Sequence, residues 1–156
     1  MKRVPIPTAS EIMKRRLHTV SPDADLEEAV RSLLKKHHSA APVVDGEGKL
    51  VGVLSEHDCV SVLAQLAAEE WQPGQVSDRM TAEVETVSLT DDVFALSTRF
   101  TQGRHRRLLV VEDGKLVGLI SRRDLLEALE SMVTRMGKRP RESTYGTIEK
   151  RHLELD

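Results

Sequence analysis

Apolar residues recur along this chain in one arrangement that is played out twice. A short apolar start, Ile12-Met13, leads into an extended piece around Thr19-Val20. Ser21-Pro22 marks a helix start, and Leu26, Ala29, Val30 and Leu33 follow at helical spacing. Two β-rich runs, Ala41-Pro42-Val43-Val44 and Leu50-Val51-Gly52-Val53-Leu54, flank Asp45-Gly46-Glu47-Gly48, a turn of the kind that joins antiparallel strands. A second helix carries Val60, Val62, Leu63, Leu66 and Ala67. The same order then returns: Met80, an extended Thr86-Val87, a helical stripe of Val93, Leu96 and Phe100, and two runs around Glu112-Asp113-Gly114. The closing helix carries Leu125, Leu126, Leu129, Met132 and Val133. The apolar stripes of the two closing helices are wide, so each needs a second surface besides its own sheet: the other repeat or a second subunit.

The recurrence is a sequence repeat and not only a pattern. Met13, Thr19-Val20-Ser21, Asp25, His38 and Val43-Val44 return as Met80, Thr86-Val87-Ser88, Asp92, His105 and Val110-Val111, all at an offset of 67 residues. Gly48-Lys49-Leu50-Val51-Gly52, Ser55 and Asp58 return as Gly114-Lys115-Leu116-Val117-Gly118, Ser121 and Asp124 at an offset of 66, so one residue is lost in the turn. Two units are too few for a solenoid and predict a closed pseudo-symmetric pair. The first repeat spans residues 1–70, a linker with the turn signal Pro73-Gly74 spans 71–76, the second repeat spans 77–136 and a polar tail spans 137–156. Trp71 is expected to pack beside the linker.

Composition narrows the function classes. The chain has 156 residues, 23 positive and 25 negative side chains, and a formal net charge of −2. A dedicated nucleic-acid binder carries a basic excess, and one that stacks bases needs more aromatics than two Phe, one Trp and one Tyr. No apolar run approaches the roughly 18 residues of a membrane span, and the N-terminus lacks the apolar core of a secretory signal. The expectation is a soluble cytoplasmic protein. Cys59 is the single cysteine, which excludes an internal disulfide and any multi-cysteine zinc site; it reads as a small packing residue. No metal site and no catalytic array stands out, so no enzyme activity is expected.

Each hairpin ends on a glycine, two apolar residues and Ser-x-x-Asp: Gly52-Val53-Leu54-Ser55-Glu56-His57-Asp58 and Gly118-Leu119-Ile120-Ser121-Arg122-Arg123-Asp124. Two copies in the same context, covering residues 10–136, resemble the tandem CBS-domain pair (Bateman module). The resemblance implies an α+β fold of two pseudo-symmetric β-α-β-β-α repeats packed sheet to sheet. It also implies a regulatory role, a homodimer, and an adenine nucleotide (AMP, ADP or ATP, with or without magnesium) in clefts between the repeats. S-adenosylmethionine is the alternative ligand.

The resemblance assigns Asp124 and Asp58 to ribose, Ser121 and Ser55 to phosphate at a helix start. A carboxylate accepts two donors at once, and a helix N-terminus favours an anion. The same residues also make a capping box, a role compatible with binding. The adenine slot of the Ser121/Asp124 cleft is assigned to Thr19, Val20 and Ile120, and that of the Ser55/Asp58 cleft to Thr86 and Val87. The second repeat carries Arg104-His105-Arg106-Arg107 where the first has His37-His38-Ser39-Ala40. Arginine forks suit phosphate, so Arg106 and Arg107 mark the Ser121/Asp124 cleft as the phosphate-binding one; a solvated loop edge or a dimer contact is the alternative. Arg122 and Arg123 either meet a local anion or pair with surface carboxylates such as Glu127. Three functions compete: a nucleotide sensor acting on an effector protein, a ligand-independent dimerisation scaffold, and nucleic-acid binding through residues 104–107, which the net charge disfavours.

Overall fold

In the computed structural model the described residues are 3–69 and 72–137. Trp71 and the tail beyond Gly137 lie outside them. The first repeat contains α1 (Ala9–Ile12), α2 (Leu26–Lys36), β1 (Ala40–Val44), β2 (Leu50–Ser55) and α3 (Glu56–Glu69). The second opens on a 3-10 turn (Val76–Asp78) and continues with β3 (Thr86–Ser88), α4 (Val93–Gln102), β4 (Arg107–Glu112), β5 (Lys115–Ser121) and α5 (Arg122–Arg135). The expected α+β pair of repeats is present, with one reduction. The extended piece at Thr19-Val20 forms only a single parallel bridge, Val20 to Val43, where its counterpart β3 pairs with β4 over three residues.

One helix starts later than Ser21-Pro22 predicts. Residues 21–24 form a turn closed by Ala24 N–H donating to the Ser21 carbonyl at 3.2 Å, and α2 begins at Leu26 with Asp25 as N-cap. The Asp25 carboxylate accepts from the N–H groups of Glu27 and Glu28 at 2.8 and 3.3 Å. An ionised acceptor that satisfies two free donors outcompetes a hydroxyl. Asp92 repeats the arrangement on α4, accepting from Phe94 and Ala95 at 3.0 and 2.9 Å.

β1–β2 and β4–β5 are the predicted antiparallel hairpins. Asp113 and Gly114 both have positive φ, at 50° and 77°, the two-residue turn whose twist matches the strands. The longer first turn is held instead by Asp45, whose carboxylate accepts from Glu47 and Lys49 N–H, both at 2.9 Å. The hairpins meet at their turns. Lys49 bridges Lys115, its own repeat equivalent, with Leu50 N–H on the Gly114 carbonyl and Leu116 N–H on the Gly48 carbonyl, both at 3.1 Å. A residue that pairs with its own copy marks the pseudo-twofold axis.

The cores do not follow the repeat boundaries. Ala9 and Met13, from the start of the first repeat, are buried with Val87, Val93, Leu96, Leu108, Val110 and Ile120 of the second. Val76 and Met80, from the start of the second, pack with Leu26, Leu33, Val43 and Leu54 of the first. Backbone pairing follows the same exchange. Lys14 adds to the edge of β5 through two bonds with Leu119 at 2.9 and 3.0 Å, and Thr81 adds to β2 through two bonds with Val53 at 2.9 Å each. Each entry segment also caps the other repeat's helix entrance: Val93 N–H donates to the Pro7 carbonyl and Leu26 N–H to that of Gly74, both at 3.0 Å.

Two glycines make room for this crossing. A Cβ on Gly52 would stand 2.7 Å from Met80 Sδ and 2.8 Å from the Thr81 carbonyl oxygen; one on Gly118 would meet the Met13 side chain. A carbonyl engaged in the Thr81–Val53 bridge cannot withdraw without breaking it. Gly52→Ala should therefore lower unfolding free energy by about 1–3 kcal/mol, the usual cost of overpacking. Gly46→Ala, with open space around the added methyl, should be near neutral. Urea denaturation of both variants checks this, and equal midpoints would contradict the exchange geometry.

Candidate functional site

Strand alternation sets which residues face the space between the sheets. On β2, Gly52 and Leu54 are buried toward α2 and the first core, so Val53 and Ser55 turn the other way; on β5, Leu119 and Ser121 do the same. Each serine then starts a helix. Ser55 Oγ donates to Asp58 Oδ2 at 2.7 Å, the Ser55 N–H donates to the same oxygen at 3.0 Å, and Asp58 N–H donates back to Oγ at 3.2 Å. Ser121 and Asp124 make the reciprocal box, with Ser121 N–H on Asp124 Oδ2 at 2.9 Å and Asp124 N–H on Ser121 Oγ at 3.1 Å. Each aspartate thus uses one oxygen locally. The second oxygens differ. Asp124 Oδ1 faces Lys14 Nζ at 3.6 Å. Thr81 occupies the equivalent of Lys14, and among the described residues Asp58 Oδ1 has no hydrogen-bond or ion-pair partner.

Two cavities flank the pseudo-axis. The larger, about 730 Å³, lies between Ser55 at the start of α3 and residues 104–107 ahead of β4. Pro42, Val53, Val84, Leu109 and Leu119 form apolar walls; Arg104, Arg106 and Arg107 bring positive charge, and Glu56, Glu83 and Glu85 bring negative charge. The basic loop is anchored at both flanks. Arg122 donates to the His105 carbonyl at 3.0 Å, and His105 Nε2 lies 2.6 Å from Glu85 Oε2, which also meets Arg99 at 3.3 Å. The smaller cavity, about 350 Å³, contains Ser121, Lys14, Arg16, His18, His38 and Arg107. Its lining holds no carboxylate. The contrast is written at equivalent positions, where Arg16 and His18 of the first repeat correspond to Glu83 and Glu85 of the second.

His18 is the most constrained polar group here. Its Nε2 shares a 2.6 Å hydrogen bond with Ser32 Oγ, its ring stacks on His38 with centroids 5.6 Å apart, and its Nδ1 is buried without a hydrogen-bond partner. Burial, then the nearby Lys36 charge and His38, hold its pKa below the ordinary histidine value.

The structure brings some expected site residues to the cavities and leaves others out. Ser55 and Arg106 line the larger cavity, Ser121 the smaller, and Arg107 both. Arg106 lines the cavity that contains Ser55 and not the one that contains Ser121, and Asp58 and Asp124 line neither. Val20, Val87 and Ile120 are buried in the two cores, and Thr19 and Thr86 line neither cavity. Extended segments alternate faces, and the walls come instead from the residues just before them, 16–18 and 83–85. The basic wall residues Lys14, Arg16 and His18 escape motif reading, although His38 and His105 are visible as a repeated pair. Arg123 pairs with Glu127 at 3.0 Å. Cys59 is buried, and burial together with Asp58 and Glu56 raises its thiol pKa, so it is a poor nucleophile. Among the described residues no cluster of three or more His, Cys, Asp or Glu could hold a metal ion, and no helix is long and apolar enough to cross a membrane.

Comparison with known proteins agrees with this architecture. The family model described as CBS domain matches residues 9–65 and 75–131. Among solved structures, CBSX2 from Arabidopsis thaliana is 28% identical, with a TM-score of 0.70 over 80% of this chain and 95% of that one. CBSX2 in complex with AMP gives 29% identity, the same TM-score, and 80% and 97% coverage. A CBS-domain containing protein from Agrobacterium tumefaciens is 30% identical, with a TM-score of 0.64 over 78% and 92%. The curated relative MJ1225 of Methanocaldococcus jannaschii is 29% identical over 121 residues, which are 78% of this chain and 42% of that protein. The chain therefore spans less than half of that relative's length.

The His18 environment predicts an acid sensitivity. A histidine whose folded pKa lies below its unfolded value binds a proton more readily when unfolded, so stability is full above about pH 6.5 and falls as pH drops toward the folded pKa. His18→Gln, which can still bond Ser32, should flatten the fall in melting temperature between about pH 7.5 and pH 5.5. Parallel slopes in wild type and variant would assign the acid sensitivity elsewhere.

Proposed function

The chain belongs to the CBS-domain family, and on that premise we propose that it is a cytoplasmic regulatory module that binds an adenine nucleotide in the larger cavity. The observation that carries this is the coincidence, in one cavity, of apolar walls, three arginines and a helix start at Ser55, a start that the Asp58 carboxylate caps from behind the lining residues. The adenine base takes the slot between Pro42, Val53, Val84, Leu109 and Leu119. The ribose hydroxyls donate to Asp58, whose Oδ2 is committed to the cap and whose Oδ1 remains to accept. The phosphate meets Arg104, Arg106 and Arg107, whose planar forks take two oxygens at a time. The complex of CBSX2 with AMP, at 29% identity, supports this ligand class over S-adenosylmethionine, which brings a cation to a basic loop. On this reading the preferred cleft is that of Ser55 and Asp58, and not the Ser121/Asp124 cleft that Arg106 suggests in the linear sequence.

Binding is read out through α5. Arg122 ties the first turn of α5 to the 104–107 loop, so neutralising that loop shifts the balance of contacts at the helix start. The outer face of α5 leaves Leu126 67% exposed, and α3 leaves Val60 68% and Leu63 37% exposed. Such faces are unfavourable in water, and we assign them to a homodimer interface, with the effector protein reading the dimer's geometry. The role is regulatory and not catalytic.

Two measurements check these points. Isothermal titration with AMP should show binding that Asp58→Asn weakens about 10- to 100-fold, the range for losing a charge-assisted acceptor, while Asp124→Asn changes little. Asparagine keeps an acceptor for the Ser55 N–H, so loss of the fold is separable by melting temperature. No binding by the wild type would favour the scaffold, and equal losses would remove the asymmetry. Sedimentation equilibrium should show a dimer that Val60→Asp with Leu126→Asp converts to monomer; a wild-type monomer would contradict the interface.

A further inference from the structure

Three equivalent positions tie the entry segment, the following helix and the loop before the hairpin together in both repeats, with different chemistry. In the first repeat they are His18, Ser32 and His38: His18 bonds Ser32 at 2.6 Å and stacks on His38. In the second, 67 residues on, they are Glu85, Arg99 and His105. Glu85 Oε2 lies 2.6 Å from His105 Nε2 and accepts from Arg99 Nη1 at 3.3 Å. Only this second link stands within a run of arginines. Arg104, Arg106 and Arg107 flank His105 in the chain and line the larger cavity with it.

Those arginines depend on an external hold. Residues 103–106 join α4 to β4 outside the strand ladder, which begins at Arg107. Arg122 fixes the His105 carbonyl at 3.0 Å from one side. Glu85 fixes the His105 ring from the other, and Arg99 holds that carboxylate beside α4. A Cβ on Gly103 would stand 2.5 Å from His105 Cδ2 and 2.8 Å from the Arg99 carbonyl oxygen, so the ring sits where only a glycine leaves room. A loop held at both the carbonyl and the side chain of one residue has less freedom to lose when a ligand arrives, and preorganised donors bind more tightly.

We infer that Glu85 is a positioning residue, which through His105 sets the loop so that Arg104, Arg106 and Arg107 present their forks to a ligand phosphate. This rests on the nucleotide reading of the larger cavity. Glu85 lines that cavity too, so its charge acts in two opposed ways. As a bare carboxylate it repels a phosphate; as the anchor of His105 it orients the groups that attract one. The second effect is the larger, because the Arg99 guanidinium already offsets the carboxylate where it stands.

Glu85→Gln separates the two effects, since it removes the charge and keeps one acceptor oxygen. Titration calorimetry of the full chain should show AMP bound about threefold to tenfold more weakly than by wild type, with adenosine, which brings no phosphate, bound equally well. Glu27→Gln, which breaks an exposed pair with Arg31 on α2, should change neither. Hydrogen exchange of the unliganded variant should quicken over residues 103–106 and match wild type over residues 37–40. Tighter AMP binding by Glu85→Gln, equal losses for AMP and adenosine, or unaltered exchange over residues 103–106 would each overturn the inference. A wild type that binds neither ligand defeats the nucleotide reading by itself; quickened exchange then sustains Glu85 as the anchor of the loop, and unaltered exchange overturns it.

Discussion

Each hydrophobic core in this protein is closed by a segment from the other repeat. Met13 lies over Gly118 and Met80 over Gly52, and the adjoining residues Lys14 and Thr81 extend the opposite sheets by one rung. The consequence is mechanical. Neither repeat has a complete core alone, so the two are locked in a single relative position. The cavities between them inherit that precision, because their walls are the same strands that the exchanged segments pin in place. A methyl group at Gly52 would press on the Thr81 carbonyl of the bridge as well as on Met80, and one at Gly118 on the Met13 side chain.

Pseudo-symmetry then supplies two sites for one architecture, and sequence divergence at equivalent positions makes them unequal. With Thr81 in place of Lys14, Asp58 has no ion pair among the described residues to match that of Asp124 with Lys14. Glu83 and Glu85 in place of Arg16 and His18 give the larger cavity mixed charge and the smaller one a cationic lining. Arg107, the equivalent of Ala40, lines both cavities. The first has the shape and apolar area for a base as well as a phosphate. The second is a compact basic site with a titratable pair.

What the sequence discloses is local. Hairpins, helix stripes and the Ser-x-x-Asp caps depend on residues within a few positions of one another, and their periodicity and repetition make them legible. The capping boxes at Ser55 and Ser121 stand where the motif places them. The exchange of entry segments is not legible, because Ile12-Met13 and Met80 carry no local signal of which core they join. The walls of the cavities fail to show for the same reason. Thr19 and Val20 look like the natural slot, yet alternation along the extended chain turns Val20 inward, and Arg16 to His18 reach the cavity instead. Arg106 lines the larger cavity and not the one at Ser121, a placement that spacing along the chain does not encode. Asp25 displaces Ser21 as a cap on simple acid strength of interaction, which a closer weighing of the two residues could have found.

The larger cavity, between Ser55 and residues 104–107, is the proposed nucleotide site. A crystal structure of the full chain grown with AMP tests it most directly. The expected result is one nucleotide in that cavity, its ribose on Oδ1 of Asp58 and its phosphate among Arg104, Arg106 and Arg107. A nucleotide seated only against Ser121 and Lys14, or both cavities empty at saturating AMP, would contradict it.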